Sequence, residues 1–439
     1  MPRLAPLIAA VSLPFLALSA SSCGAQTAVS KSGVHSEQLL FVIYLSRHGV
    51  RSPTGNPAQY NPYSAAPWPA WSVPPGYLTA HGYRLMRYFG AWDRQQLAGE
   101  GLLTAAGCDD AARVTFYADS DQRTRETGKA LAEGLFPGCA TQVRGLPEGT
   151  HDPLFHPLGT QAASTDPSLS LAAITGRIGG NPANLTDAYR SQLSELDSIL
   201  GKCGDPPGSA SAPIRQSILE IPATLEFGSP GHLAELRGPL STASTLTENF
   251  LLEYTEGMDA SNVGWGCVND KNLRSLIQLH TAESEFTQRP APVSRMQASN
   301  LLHQIRLALE QAAAGKRISG AVSRVNDRAL FLIGHDTNIA SVAGLLDLHW
   351  IADGQSDGTP PGGALVFELW RSRIDRTDSV RVYYTAQTLE QMRAATLLTQ
   401  ENPPVRVPIF IPSCSRPDLF CSLVDFEESL ERLTTKREP

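Results

Sequence analysis

Two short segments carry residues able to do chemistry together. Arg47-His48-Gly49-Val50-Arg51 sets an imidazole between two arginines, and Gly334-His335-Asp336 sets a second imidazole beside a carboxyl group. Guanidinium forks are rigid, permanently charged and bidentate, which suits a tetrahedral dianion such as a phosphoryl group. Gly49 lets the backbone approach such a group with no side chain in the way. A neutral His48 beside that anion is placed to attack phosphorus, and Asp336 is placed to protonate the oxygen that leaves. A carboxyl group next to a dianion is expected to hold its proton more tightly than usual. Arg123, with Asp119 and Asp121 just before it, offers a third guanidinium. His81, His151, His156, His232 and His303 lack such a context and read as surface, loop or core histidines.

Both segments leave apolar runs. Residues 39–45 (LLFVIYL) and 330–333 (LFLI) read as buried strands of the kind parallel sheets contain. Residues 113–117 form another strand, and 364–370 with 380–385 form a neighbouring pair. In open α/β sheets, ligands gather at strand C-terminal ends, where loops converge and helix N-termini point inward. Helical spacing covers 79–95, 124–135, 183–199, 243–254, 272–280 and 297–314. Residues 55–78 are dense in Pro, Tyr and Trp and read as a structured loop towards a cap. The pattern predicts an α/β core from 36–144 and 271–439, interrupted by a mostly helical cap insertion over 145–270.

The chain has 439 residues, 42% hydrophobic and 18% charged, which excludes a disordered or fibrous protein. Its net charge of −7 speaks against nucleic acid as a partner. Only six of the 36 basic residues are lysine, so positive charge rests on arginines that can converge locally. Residues 1–25 read as a secretory signal: Arg3, then an apolar run broken by Pro6 and Pro14, then small residues. Cys23 is an alternative lipid-anchor residue, although Ala20 stands where a lipid-anchor motif usually has leucine. No other run is long and apolar enough to span a membrane, so a periplasmic or secreted location is expected. Six cysteines follow the signal, which predicts three disulfides. Cys414 and Cys421 are close and pair; bridging Cys108 to Cys139 ties down the unit between them; Cys203 with Cys267 follows by elimination. No Cys-x-x-Cys pair or compact Cys/His cluster suggests structural zinc.

The motif Arg47-His48-Gly49-Val50-Arg51-Ser52-Pro53, followed much later by His335-Asp336, resembles the histidine acid phosphatase family. Within it the chain is most similar to the bacterial periplasmic phytase and glucose-1-phosphatase branch, from about residue 39 to 428. Asp119-Ser120-Asp121-Gln122-Arg123-Thr124, Leu246-Thr247-Glu248, Gly264-Trp265-Gly266 and Pro360-Pro361-Gly362-Gly363 carry the same likeness. The resemblance implies a phosphoglycerate-mutase-like sheet flanked by helices, with a smaller helical cap. It implies that His48 forms a phosphohistidine, that Arg47, Arg51, Arg123 and His335 hold the phosphate, and that Asp336 protonates the leaving alcohol. Thr54, Asp119, Glu248, His280 and Thr337 would line the substrate pocket. No metal or other cofactor is implied, and the partner is a small phosphomonoester, an inositol or sugar phosphate; a monomer is the default expectation, with the oligomeric state left open. Two positions depart from the phytase pattern: Gly55 replaces a lysine that grips a polyphosphorylated ring, and Thr245 replaces a pocket methionine. A phytase acting at acidic pH on myo-inositol hexakisphosphate is the leading expectation. A glucose-1-phosphatase or broad sugar-phosphate phosphatase is the alternative, and a non-catalytic phosphate-binding protein comes last.

Overall fold

Strand register decides where the chemistry meets. In the computed structural model, residues 36–158, 167–203, 215–228 and 233–434 are described. The expected signal over 1–25, Cys23 and His232 lie outside the described residues. All elements from Glu37 onward belong to one unit.

An eight-stranded mixed sheet forms the core. Its order is Val405–Ile409, Asp378–Ala386, Ala364–Ser372, Glu37–Arg47, Ala329–Gly334, Val114–Ala118 and Val143–Arg144, with Cys421–Ser422 pairing Asp378–Ala386. Glu37–Arg47 runs parallel to Ala329–Gly334, which in turn runs parallel to Val114–Ala118. The pair Ala364–Ser372 and Asp378–Ala386 forms as the sequence predicts, and joins the same sheet antiparallel to the first strand. Tyr44, Phe331 and Phe116 lie opposite one another on the three parallel strands. Their rings stack at 4.4 and 5.0 Å. Such cross-strand contacts resist a slip of one residue, which would turn every side chain to the wrong face.

Alternation splits the first strand between two cores. Val42 and Tyr44 face Met86, Phe89, Leu131 and Leu135 of helices Ala80–Gly99 and Gln122–Leu135. Phe41, Ile43 and Leu45 face the other side, with Leu301, Ile305, Val342 and Phe426 of helices Ala291–Ala314, Asp336–Leu346 and Leu423–Thr434. A third core joins helices Arg190–Lys202, Pro239–Thr255 and Asp270–Leu276 through Leu193, Leu196, Leu246, Phe250, Leu273 and Leu276. This is the smaller helical region, which also holds a short hairpin, Thr224–Phe227 with Ala234–Arg237. Its packing runs on through Ile277, Leu279 and Ala282. The single helix expected over 183–199 is instead two, Ala183–Ala188 and Arg190–Lys202, because Tyr189 leaves helical geometry at φ −105°, ψ 18°. The three expected disulfides, Cys108–Cys139, Cys203–Cys267 and Cys414–Cys421, are all formed.

The two helices on the Tyr44 face touch through glycines. A Cβ at Gly134 would lie 2.0 Å from the Arg87 carbonyl oxygen, and one at Gly90 would lie 2.3 Å from that of Leu131. Backbone cannot yield as a flexible side chain can. Gly134→Ala is therefore expected to destabilise the fold by about 1–3 kcal/mol despite alanine's better helix propensity. A lower denaturant midpoint at unchanged slope would show it.

Candidate active site

The first strand and its parallel neighbour end level, Arg47 opposite Gly334, so the segments that follow them emerge side by side. His335 takes extended geometry at the start of helix Asp336–Leu346, and its amide donates to Asn338 Oδ1 at 2.8 Å. Asn338 is itself fixed by a bond from Nδ2 to the Phe155 carbonyl, also 2.8 Å. Arg123 sits in the first turn of Gln122–Leu135, just after strand Val114–Ala118. Three strand ends thus deliver Arg47, His48, Arg123, His335 and Asp336 to one place. The amide of Gly49 donates to Thr127 Oγ1 at 2.9 Å, tying the first segment to the same helix.

His48 is 2% exposed, with its ring 5.5 Å from that of His335, edge to face. Its Nδ1 lies 2.9 Å from the Gly49 carbonyl oxygen. A carbonyl only accepts, so Nδ1 carries the hydrogen and Nε2 keeps its electron pair. Arg51 Nε lies 3.4 Å from that Nε2. Burial, then Arg51, Arg123 and Arg47, push the proton affinity of His48 well below that of a free imidazole. These effects favour a neutral ring, with its lone-pair nitrogen turned towards arginine.

The guanidiniums are balanced by carboxylates. Arg47 Nη2 contacts Glu248 and lies 3.1 Å from Asp336 Oδ2. Arg51 Nη2 reaches the same Glu248 at 3.1 Å, and Arg123 reaches Asp121 at 2.6 Å. Among the described residues, Nε of Arg47 and Nε of Arg123 are buried donors with no partner, the kind of vacancy an oxyanion satisfies. His280 connects the two carboxylates, 3.6 Å from Glu248 Oε2 and 3.5 Å from Asp336 Oδ2, while Ser244 Oγ lies 3.0 Å from its other side.

The proton affinities of the two carboxylates follow from the cations around them. Asp336 does not hold its proton tightly: burial works that way, but Arg47 and then His280 outweigh it and keep the carboxyl well below its usual range. Glu248 is lowered too, burial being overcome by Arg47, His280 and Arg51. His280 moves the other way: burial opposes a proton, yet Glu248 and Asp336 raise its affinity. The sequence expectation of a tightly held proton assumed a bound dianion. Here the partner of Asp336 is Arg47.

His156, read from sequence as a surface, loop or core histidine, lies on a loop that reaches the site. Its Nε2 lies 2.7 Å from Asp119 Oδ2, the same oxygen that meets His335 Nε2 at 2.7 Å. No strand leads into its segment, so the sequence offered no signal. Thr54 is exposed on its loop, and Thr337 contributes its amide to Asp336 Oδ1 at 2.8 Å. Gly55 lies against Tyr60: its amide donates to Tyr60 Oη at 2.8 Å, and a Cβ there would lie 2.3 Å from that oxygen unless the side chain moved. Thr245 is exposed beside buried Ser244 and Leu246. The ligand atoms of Asp119, His156 and His335, and of Glu248, His280 and Asp336, lie within 4.8 Å in each trio, a spacing a cation could bridge. Arg123 beside the first and Arg47 beside the second make both places unfavourable for one.

A neutral, buried imidazole ringed by guanidiniums at the ends of parallel strands defines a phosphoryl-transfer site. The chain belongs to the histidine phosphatase superfamily (branch 2), whose sequence model matches residues 38–171 and 243–385. It is a histidine acid phosphatase of the bacterial phytase and glucose-1-phosphatase branch, acting on phosphomonoesters. It is 37% identical to phytase AppA of Escherichia coli K12 over 398 residues, 88% of this chain and 90% of that protein. It is 30% identical to the glucose-1-phosphatase of Providencia rettgeri over 402 residues, 89% of this chain and 91% of that one. The structure of Hafnia alvei phytase in complex with myo-inositol hexakis sulphate superposes with a TM-score of 0.82 at 33% identity, covering 92% of this chain and 98% of that one.

Proposed function

We propose that the enzyme is an exported phytase that removes phosphate from myo-inositol hexakisphosphate through a phosphohistidine on His48. The observation that carries the mechanism is the unprotonated Nε2 of His48 inside the clamp of Arg47, Arg51 and Arg123. The phytase relatives and the inositol hexakis sulphate complex support the substrate. The signal read over 1–25 and three disulfides support export to an oxidising compartment. The cap taken as residues 145–270 supplies Glu248, which covers the clamp.

The incoming phosphate dianion takes over the guanidinium forks of Arg47 and Arg51 from Asp336 and Glu248. Asp336, now beside negative charge and without its cation, accepts a proton. At acidic pH solvent supplies that proton, while His280, 3.5 Å away, keeps its own more tightly than a free imidazole because, despite burial, Glu248 and Asp336 face it. His48 Nε2 attacks phosphorus, the bond from phosphorus to the leaving oxygen breaks, and the Asp336 proton passes to that oxygen. Water then attacks the phosphohistidine, gives its proton to the Asp336 carboxylate, and frees His48 and inorganic phosphate.

The test is a panel of phosphomonoesters at roughly pH 3–6, where a carboxyl donor can work. Phosphate release from inositol hexakisphosphate is expected to exceed that from glucose 1-phosphate in kcat/KM. The reverse order would select the glucose-1-phosphatase reading. Tetrahedral oxyanions such as tungstate are expected to inhibit competitively, because they offer the arginines the same oxygen arrangement. Non-competitive behaviour would count against the clamp.

A further inference from the structure

We infer that His156 is a positioning residue: by sharing one oxygen of Asp119 with His335, it sets the acidity at which His335 becomes a donor to bound phosphate. Asp119 is fully buried, and its Oδ1 is occupied by the Ser120 amide at 2.7 Å. Its Oδ2 serves both imidazoles, each through Nε2 at 2.7 Å. A carboxylate only accepts, so both rings present Nε2–H. That leaves His335 with Nδ1, which lies 3.4 Å from Arg123 Nη2. In the neutral ring this atom is a lone pair facing a guanidinium and has no hydrogen to give an oxyanion. His335 can donate to phosphate from Nδ1, while keeping its bond to Asp119, only as an imidazolium.

How readily His335 takes that second proton depends on how much of the Asp119 charge it commands. Around His335, Asp121 Oδ2 lies 3.4 Å from Nε2, and the His48 ring stands 5.5 Å away. Burial, then Arg123 and His156, disfavour the imidazolium, and the Asp119 bond works for it. His156 competes for the same oxygen. Its side chain is 42% exposed, and the groups that face it are Asp119, Asp121 and Arg123 from the strand exit and helix start, His335 across the oxygen, and His151 on its own loop at 5.9 Å between rings. Burial opposes its proton, but the bond to Asp119 prevails and raises its affinity. As pH falls, His156 charges first, and a cation on the shared oxygen then holds back the second proton on His335. The sign follows. With a neutral residue at 156, His335 protonates at higher pH, and phosphate binding persists further towards neutrality.

The experiment is the pH dependence of kcat/KM for p-nitrophenyl phosphate in His156→Gln and His156→Asn, both of which keep a neutral N–H donor for Asp119. The alkaline limb is expected to move up by about half to one pH unit, carried by KM. A purely structural role would scale kcat/KM by one factor at every pH, and a limb that stays put or moves towards acid overturns the inference. Nuclear magnetic resonance titration of the histidine rings in the unmodified enzyme reads the same coupling without any substitution. His156 is expected to take its proton at higher pH than His335, and the opposite order also overturns it.

Discussion

Replacing His48 with alanine is expected to lower kcat on every phosphomonoester by roughly four to six orders of magnitude, as loss of a covalent nucleophile does elsewhere. Three features make the loss this large. The ring is 2% exposed, so its attacking nitrogen is shielded from bulk solvent. Its tautomer is fixed by the Gly49 carbonyl, so the attacking nitrogen is set by backbone rather than by chance rotation. Burial and three guanidiniums push its proton affinity well below that of a free imidazole, which favours an available electron pair at acidic pH. Alanine leaves Arg47, Arg51 and Arg123 in place, and tungstate should still bind. Acid-quenched enzyme should carry phosphate in the wild type and none in the variant. Undiminished turnover, or a phosphoenzyme that persists without His48, would remove the nucleophile from the proposal.

The parts of this site that were legible in the sequence are those written locally. A β-branched and aromatic run ending in Arg47-His48 reads as a buried strand leading into a polar turn, because strand and turn have opposite compositions. The same holds for the run before His335, and parallel pairing then sets the two exits level. Cysteine pairing was legible because three bridges had few plausible arrangements once the close pair was taken. What the sequence hid depends on contacts between distant segments. The lowered proton affinity of Asp336 is one such case: despite burial, Arg47 and His280, from other parts of the chain, lie against it. His156 was hidden for a related reason: it reaches Asp119 from an irregular loop, where no periodicity announces which way a side chain points. Tyr189 escaped because a helix-compatible residue can still take a non-helical angle where two short helices pack separately.

Asp336→Asn is expected to split substrates by their leaving group. The amide has no acidic proton, so an alcohol such as an inositol or glucose hydroxyl must depart as a costly alkoxide. Loss of a general acid takes about 10²–10⁴-fold from kcat on these substrates. A nitrophenolate is stable without a proton, so p-nitrophenyl phosphate should lose less than about tenfold. The same substitution should also tighten binding. The Asp336 carboxylate lies 3.1 Å from Arg47 Nη2 and would compete with phosphate for that guanidinium. Asparagine competes as a dipole and not as an anion, so KM should fall while kcat falls, and tungstate should bind more strongly. This joint signature separates a proton donor from a residue that merely holds the clamp in shape, which would raise KM and lower kcat alike. Equal losses on inositol and nitrophenyl substrates would take Asp336 out of the proton-transfer step and leave His280, its neighbour at 3.5 Å, as the next group to test.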